Sequence, residues 1–106
     1  MIEAIDRIVN RGGDADDVLR DVVAALSRQY EWVGIYLVEG DNLVLGPSHG
    51  TVPGKDARVP VVYEGRRVGE LSVSDDHDRA SLERVAVLIS HYCLVGWDTG
   101  GETWNP

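Results

Sequence analysis

The sequence predicts an α+β fold: one antiparallel sheet of about four strands, with helices from the two ends of the chain packed on one of its faces. Three observations lead there. Apolar residues recur at helical spacing near both ends of the chain. Between them lie four β-branched or alternating runs, grouped in two pairs, each pair closed by a short turn containing glycine. The order is therefore helix, helix, four strands, helix, and 106 residues is the size of a single domain, 1–106. We divide it into N-terminal helices over 1–30, a sheet over 31–75, and a C-terminal helix with a tail over 76–106.

Each element has a local reason. Ile2, Ile5, Ile8 and Val9 stand at helical spacing from Ile2 to Asn10, and Arg11-Gly12-Gly13 interrupts them. Asp14 is placed to cap a second helix, with Asp16 and Asp17 in its first turn facing the positive end of the helix dipole. That helix is expected to reach about Tyr30, with Val18, Val22 and Leu26 on one stripe. Trp32 to Val38 has no polar position, the pattern of a strand covered on both faces. Glu39 to Asn42 reads as a turn, Leu43-Val44-Leu45 as the return strand, and Gly46 to Asp56 as a loop.

The second hairpin follows. Arg58 to Tyr63 contains Pro60, which favours an edge strand. Beyond the turn at Glu64-Gly65-Arg66, Leu71 and Val73 alternate with Glu70, Ser72 and Ser74, giving one core face and one polar face. Asp76 or Asp78 can cap the last helix, whose stripe is Leu82, Val85, Ala86, Ile89, Tyr92 and Cys93, with Gly96 as its stop. Val87, Leu88, Leu94 and Val95 make this helix apolar on further sides. Together with Val18 and Val22 they suggest a homodimer through terminal helices.

Charge and cysteine content narrow the partners. A net charge of −8 repels nucleic-acid phosphates and anionic membranes. No apolar run approaches the ~18 residues of a membrane span, and Met1 to Asp6 shows no basic leader, so the expectation is a cytoplasmic protein. Cys93 is the single cysteine, which excludes an intramolecular disulfide and a multi-thiolate metal site. His91 and Cys93, two apart on a helix, do not share a face, so with His49 or His77 they make a poor chelate. Asp75-Asp76-His77-Asp78 lacks the glycine and distant glutamate of an EF-hand loop. No cofactor or metal is expected.

The stretch from Trp32 to Val38, continued by Leu43-Val44-Leu45-Gly46-Pro47, resembles the first hairpin of GAF-domain proteins, and looks most like the branch that includes the free methionine-(R)-sulfoxide reductases. Val59 to Val73 is similar to the family's closing hairpin, and Asp76 to Cys93 resembles its C-terminal helix. The resemblance implies a pocket lined by Trp32 and Tyr36, which share a strand face with Gly34 between them. The departures are as informative. In the reductases a long segment between the hairpins supplies the redox cysteines; here Ser48 to Ala57 fills that place without a cysteine. Two ligand-binding carboxylates of the family's closing strand match Ser72 and Ser74, and a further glutamate matches Ala57.

Thiol-based sulfoxide reduction needs an attacking thiolate and a resolving thiol, and Cys93 cannot be both. The expected function is thus a non-catalytic sensory or regulatory module binding a small ligand through Trp32, Gly34, Tyr36, Ser72 and Ser74. The alternatives are a homodimerising interaction module without a small ligand, and a degenerate enzyme. A tail bearing Trp97 and Trp104 is a candidate cover for the sheet.

Overall fold

The computed structural model describes residues 2–75 and 78–96, with side chains up to Cys93. Two helices, α1 (Ile2–Arg11) and α2 (Ala15–Leu26), precede four strands: β1 (Val33–Glu39), β2 (Asn42–His49), β3 (Ala57–Tyr63) and β4 (Arg66–Val73). A last helix, α3 (Arg79–Gly96), follows. The strands form one sheet in the order β2-β1-β4-β3, antiparallel throughout. The α+β layer arrangement expected from the sequence is the one observed, with Pro60 on an edge strand.

The hairpins close on two-residue turns whose backbone twist matches that of the strands. Glu39 pairs with Asn42 across Gly40-Asp41, and Gly40 takes a positive φ of 63°. Tyr63 pairs with Arg66 across Glu64 and Gly65, both at positive φ. Register then decides which side chains face the helices. Val33, Ile35 and Leu37 of β1 and Leu71 and Val73 of β4 share one core with Leu19, Val22 and Leu26 of α2 and with Leu82, Val85 and Ile89 of α3.

Val18 and Val22 lie inside this core, not on a face free for a partner. Helix α3 is packed by β3 and β4 and by α1 and α2. Leu88 is half-buried against the core, and Val87, 70% exposed, is left to solvent. The side chains of Leu94 and Val95 lie outside the described residues, as do Asp76, His77, Trp97 and Trp104.

Two boundaries and one cap differ from expectation. Helix α2 stops at Leu26 instead of Tyr30; Ser27 turns its hydroxyl onto the Ala24 carbonyl at 2.7 Å, and Tyr30 keeps a backbone bond to Leu26. Asp14 holds the N-cap position without a side-chain hydrogen bond. Strand β2 continues to His49, well into the expected loop. The β1–β2 register shifts between Gly34 and Tyr36, so Gly46 and Pro47 together oppose Ile35 as a bulge, which tolerates a proline in an edge strand. At the other end of the chain Asp78 does cap α3, its carboxylate accepting the Ser81 N–H at 3.4 Å.

Candidate functional site

The three helices cover one face of the sheet, and the candidate site lies on the other. Pairing Gly34 with Ser72 and Tyr36 with Glu70 puts the outward side chains of β1 and β4 together. Pairing Arg58 with Ser72 extends the row to β3, and pairing Tyr36 with Leu45 extends it to β2. From Tyr36 onward the outer face of the strand is not covered as the sequence suggested. Tyr36 is half-buried, and Val38 lies exposed beside Leu43 and Leu45, each of the three about two-fifths accessible.

Trp32 sits immediately before β1 and folds its indole back over Gly34. A Cβ on Gly34 would lie 2.6 Å from the Trp32 ring, so the missing side chain makes room for the indole. The loop after β2 completes the cover. Gly50, at a φ of +92°, backs directly onto the Glu31 carbonyl beside Trp32. Trp32 is consequently only 2% exposed.

A continuous polar chain runs out from it. The Trp32 indole N–H donates to Ser72 Oγ at 2.8 Å, and that hydroxyl donates to Asp56 Oδ2. Arg58 Nε donates to the same Asp56 oxygen at 2.6 Å, and Arg58 Nη1 donates to Glu70 Oε1 at 2.9 Å. Arg67 pairs with the other Glu70 oxygen. The Arg58 guanidinium lies 4.3 Å over the centre of the Tyr36 ring, a cation–π stack. The Ser72 hydroxyl, and then the Arg58 guanidinium, hold the Asp56 carboxyl below its ordinary value against the opposing effect of burial.

Of the residues expected here, Trp32, Gly34, Tyr36 and Ser72 come together, with Glu70 beside them. Ser72 is not the solvated rim residue the alternation suggested. It is fully buried, because Trp32 and Asp56 consume both hydrogen-bonding roles of its hydroxyl. Ser74 lies just past β4 and contributes its backbone N–H to the Trp32 carbonyl at 3.1 Å. Asp56, Arg58 and Arg67 were not foreseen. Their signal was available: positions 56 and 58 alternate with buried Val59 and Val61, so they fall on the outer face once β3 pairs with β4.

Elsewhere the titratable groups do not converge. His91 is exposed, its ring 5.6 Å from those of Tyr63 and Tyr92, while Cys93 is buried in the core beneath the other face of the sheet. Burial pushes the Cys93 thiol up to about 12. Among the described residues no group of three or more His, Cys, Asp or Glu side chains is arranged to hold a metal ion. No helix among them is long and apolar enough to cross a membrane.

No family model matches the chain, and no curated protein does. Solved structures do. A free methionine-R-sulfoxide reductase from Neisseria meningitidis, in complex with its substrate, superposes with a TM-score of 0.73 at 20% identity, over 87% of this chain and 85% of that one. The corresponding Staphylococcus aureus protein, also with substrate, gives 0.73 at 19% identity, over 87% and 92%. The GAF domain of an Acinetobacter phosphoenolpyruvate-protein phosphotransferase gives 0.66 at 18% identity, over 86% and 90%. The fold is therefore GAF-like, shared with enzymes and with a domain of a larger protein.

Proposed function

We propose that this chain is a non-catalytic GAF-like sensory or regulatory module that takes a small zwitterionic ligand on its outer sheet face. One observation carries the reading: the cradle in which Arg58 lies across Tyr36 between the carboxylates of Asp56 and Glu70. Fixed charges of both signs beside an aromatic face are the groups that recognise an amino acid. A ligand carboxylate would draw on Arg58 and Arg67, its ammonium on Asp56 or Glu70, and its side chain on Tyr36 and Leu45. The substrate complexes of the two structural neighbours agree with a small polar ligand.

Chemistry on that ligand is not part of the reading. The one thiol lies beneath the opposite face of the sheet and is held protonated, so neither the attacking nor the resolving role of a sulfoxide reductase is met. Calorimetric titration with free methionine, its sulfoxide and a panel of amino acids tests the binding, and turnover with a dithiol reductant tests the chemistry. Binding lost in Arg58→Ala, without turnover, is the expected result. Thiol-dependent turnover of the sulfoxide would sink the non-catalytic reading.

A second reading rests on the neighbouring aliphatic row. Val38, Leu43 and Leu45 stand exposed on adjacent strands, so the face can also receive a second copy of the chain. Sedimentation of the wild-type chain against Leu43→Glu separates the two readings, since only self-association is concentration-dependent.

A further inference from the structure

The fold leaves a second concave surface, far from the sheet face, between α1 and α2. Ala4 and Ile8 of α1 and Ala24 and Ala25 of α2 form its floor, and Arg7, Arg11 and Arg28 stand along it. The groove is open and has a volume of about 1130 Å³. Small floor residues allow a helix to approach closely, as in ridge-into-groove packing.

Its charge runs against that of the molecule. The chain carries −8 overall, yet this lining holds three arginines and one carboxylate, Asp21, which Arg11 already pairs at 3.0 Å. Arg7 and Arg28 have no carboxylate partner among the described residues. Charges beyond about 8–10 Å are screened at physiological salt, so a short occupant feels these guanidiniums more than the net charge. A long polyanion such as nucleic acid would meet the acidic remainder of the surface.

We infer that the α1/α2 groove docks an acidic amphipathic helix of a partner protein. Two turns of that helix would lay an apolar i, i+3, i+4, i+7 face on Ala4, Ile8, Ala24 and Ala25, and would direct Asp or Glu at Arg7 and Arg28. The inference stands independently of any ligand on the sheet face.

The test uses the full chain and a synthetic helical peptide of about 14 residues, roughly four turns, with leucines at that spacing and flanking glutamates. Fluorescence anisotropy should show saturable binding that weakens with salt. It should fall at least tenfold in Arg7→Glu/Arg28→Glu and stay unchanged in Arg66→Glu/Arg84→Glu, a reversal of equal charge elsewhere. Circular dichroism confirms that each variant is folded. Equal loss in both double variants would reduce the effect to net charge and overturn the proposal, as would tight binding of a lysine-flanked peptide. Two other occupants would also overturn it. One is a second copy, if the groove variant dissolves a dimer while the peptide never binds. The other is the chain's own tail, if Trp97→Ala/Trp104→Ala raises peptide affinity tenfold or more.

Discussion

The Trp32 indole and the Ser72 hydroxyl, forty positions apart in the chain, meet at 2.8 Å where both are shut off from solvent. The indole can only donate and has a single N–H, while the hydroxyl can accept from it and still donate to Asp56. The direction of the chain of hydrogen bonds is thereby fixed. It ties the residue before β1 to the C-terminal end of β4 and to the loop that covers them both.

Ser72→Ala should therefore cost more than its small change in volume implies. It strands a buried indole N–H and removes a donor from Asp56, a loss of about 1–3 kcal/mol. Urea denaturation measures it. Trp32→Phe in the Ser72→Ala background should cost less than the same change in the wild type, because the orphaned donor leaves with the indole. Additive effects would show that the bond contributes nothing beyond packing.

The acid limb of stability should report Asp56. Its native value is depressed by the Ser72 hydroxyl first, with Arg58 assisting, below an ordinary 3.8. A carboxyl with a lowered native value contributes stability fully above its unfolded value and loses it as pH falls through the native one. The contribution should thus be complete above about pH 5 and be lost progressively only as pH falls below about 4, through the native value. Asp56→Asn should flatten the fall in melting temperature across that window; an unchanged acid limb would mean that other carboxylates carry it.

Much of this is legible in the chain itself. Helix α3 announces its stripe because Leu82, Val85 and Ile89 keep a helical period, and β4 announces its two faces because Leu71 and Val73 alternate with Ser72. Two kinds of information were not legible. The first is register: Arg58 belongs to the site only because it pairs with Ser72 across β3 and β4, a non-local fact that no window of sequence contains. The second is the fate of surplus apolarity. Val18, Val22 and Leu88 look alike whether a partner or the chain's own helices cover them, and here the chain buries Val18 and Val22 and part of Leu88.

Cys93 offers a clean probe of opening. With its thiol pushed up to about 12 by burial, little of it is thiolate at pH 8, and burial blocks the reagent as well. Alkylation should be at least about a hundredfold slower than in urea, and its rate should rise with denaturant as the global transition is approached. Fast labelling under native conditions would require α3 to lift from the core independently.

The loop that closes the site depends on a single backbone position. Gly50 takes a φ of +92°, and a Cβ there would collide with the Glu31 carbonyl beside Trp32. Four residues on, Gly54 has no atom within 4 Å of a built Cβ and no positive φ. The two alanine substitutions should accordingly differ in sign. Gly54→Ala reduces the freedom of the unfolded chain and should be neutral or stabilising by up to about 1 kcal/mol. Gly50→Ala carries both the backbone strain and the collision, and should destabilise by about 1–3 kcal/mol. Its loop must also shift, so in a Trp97→Phe/Trp104→Phe background the Trp32 emission should move to longer wavelength and acquire iodide quenching. If Gly50→Ala matched Gly54→Ala in both stability and emission, the loop would not be what keeps Trp32 from solvent, and the shelter would have to be ascribed to the sheet beneath it.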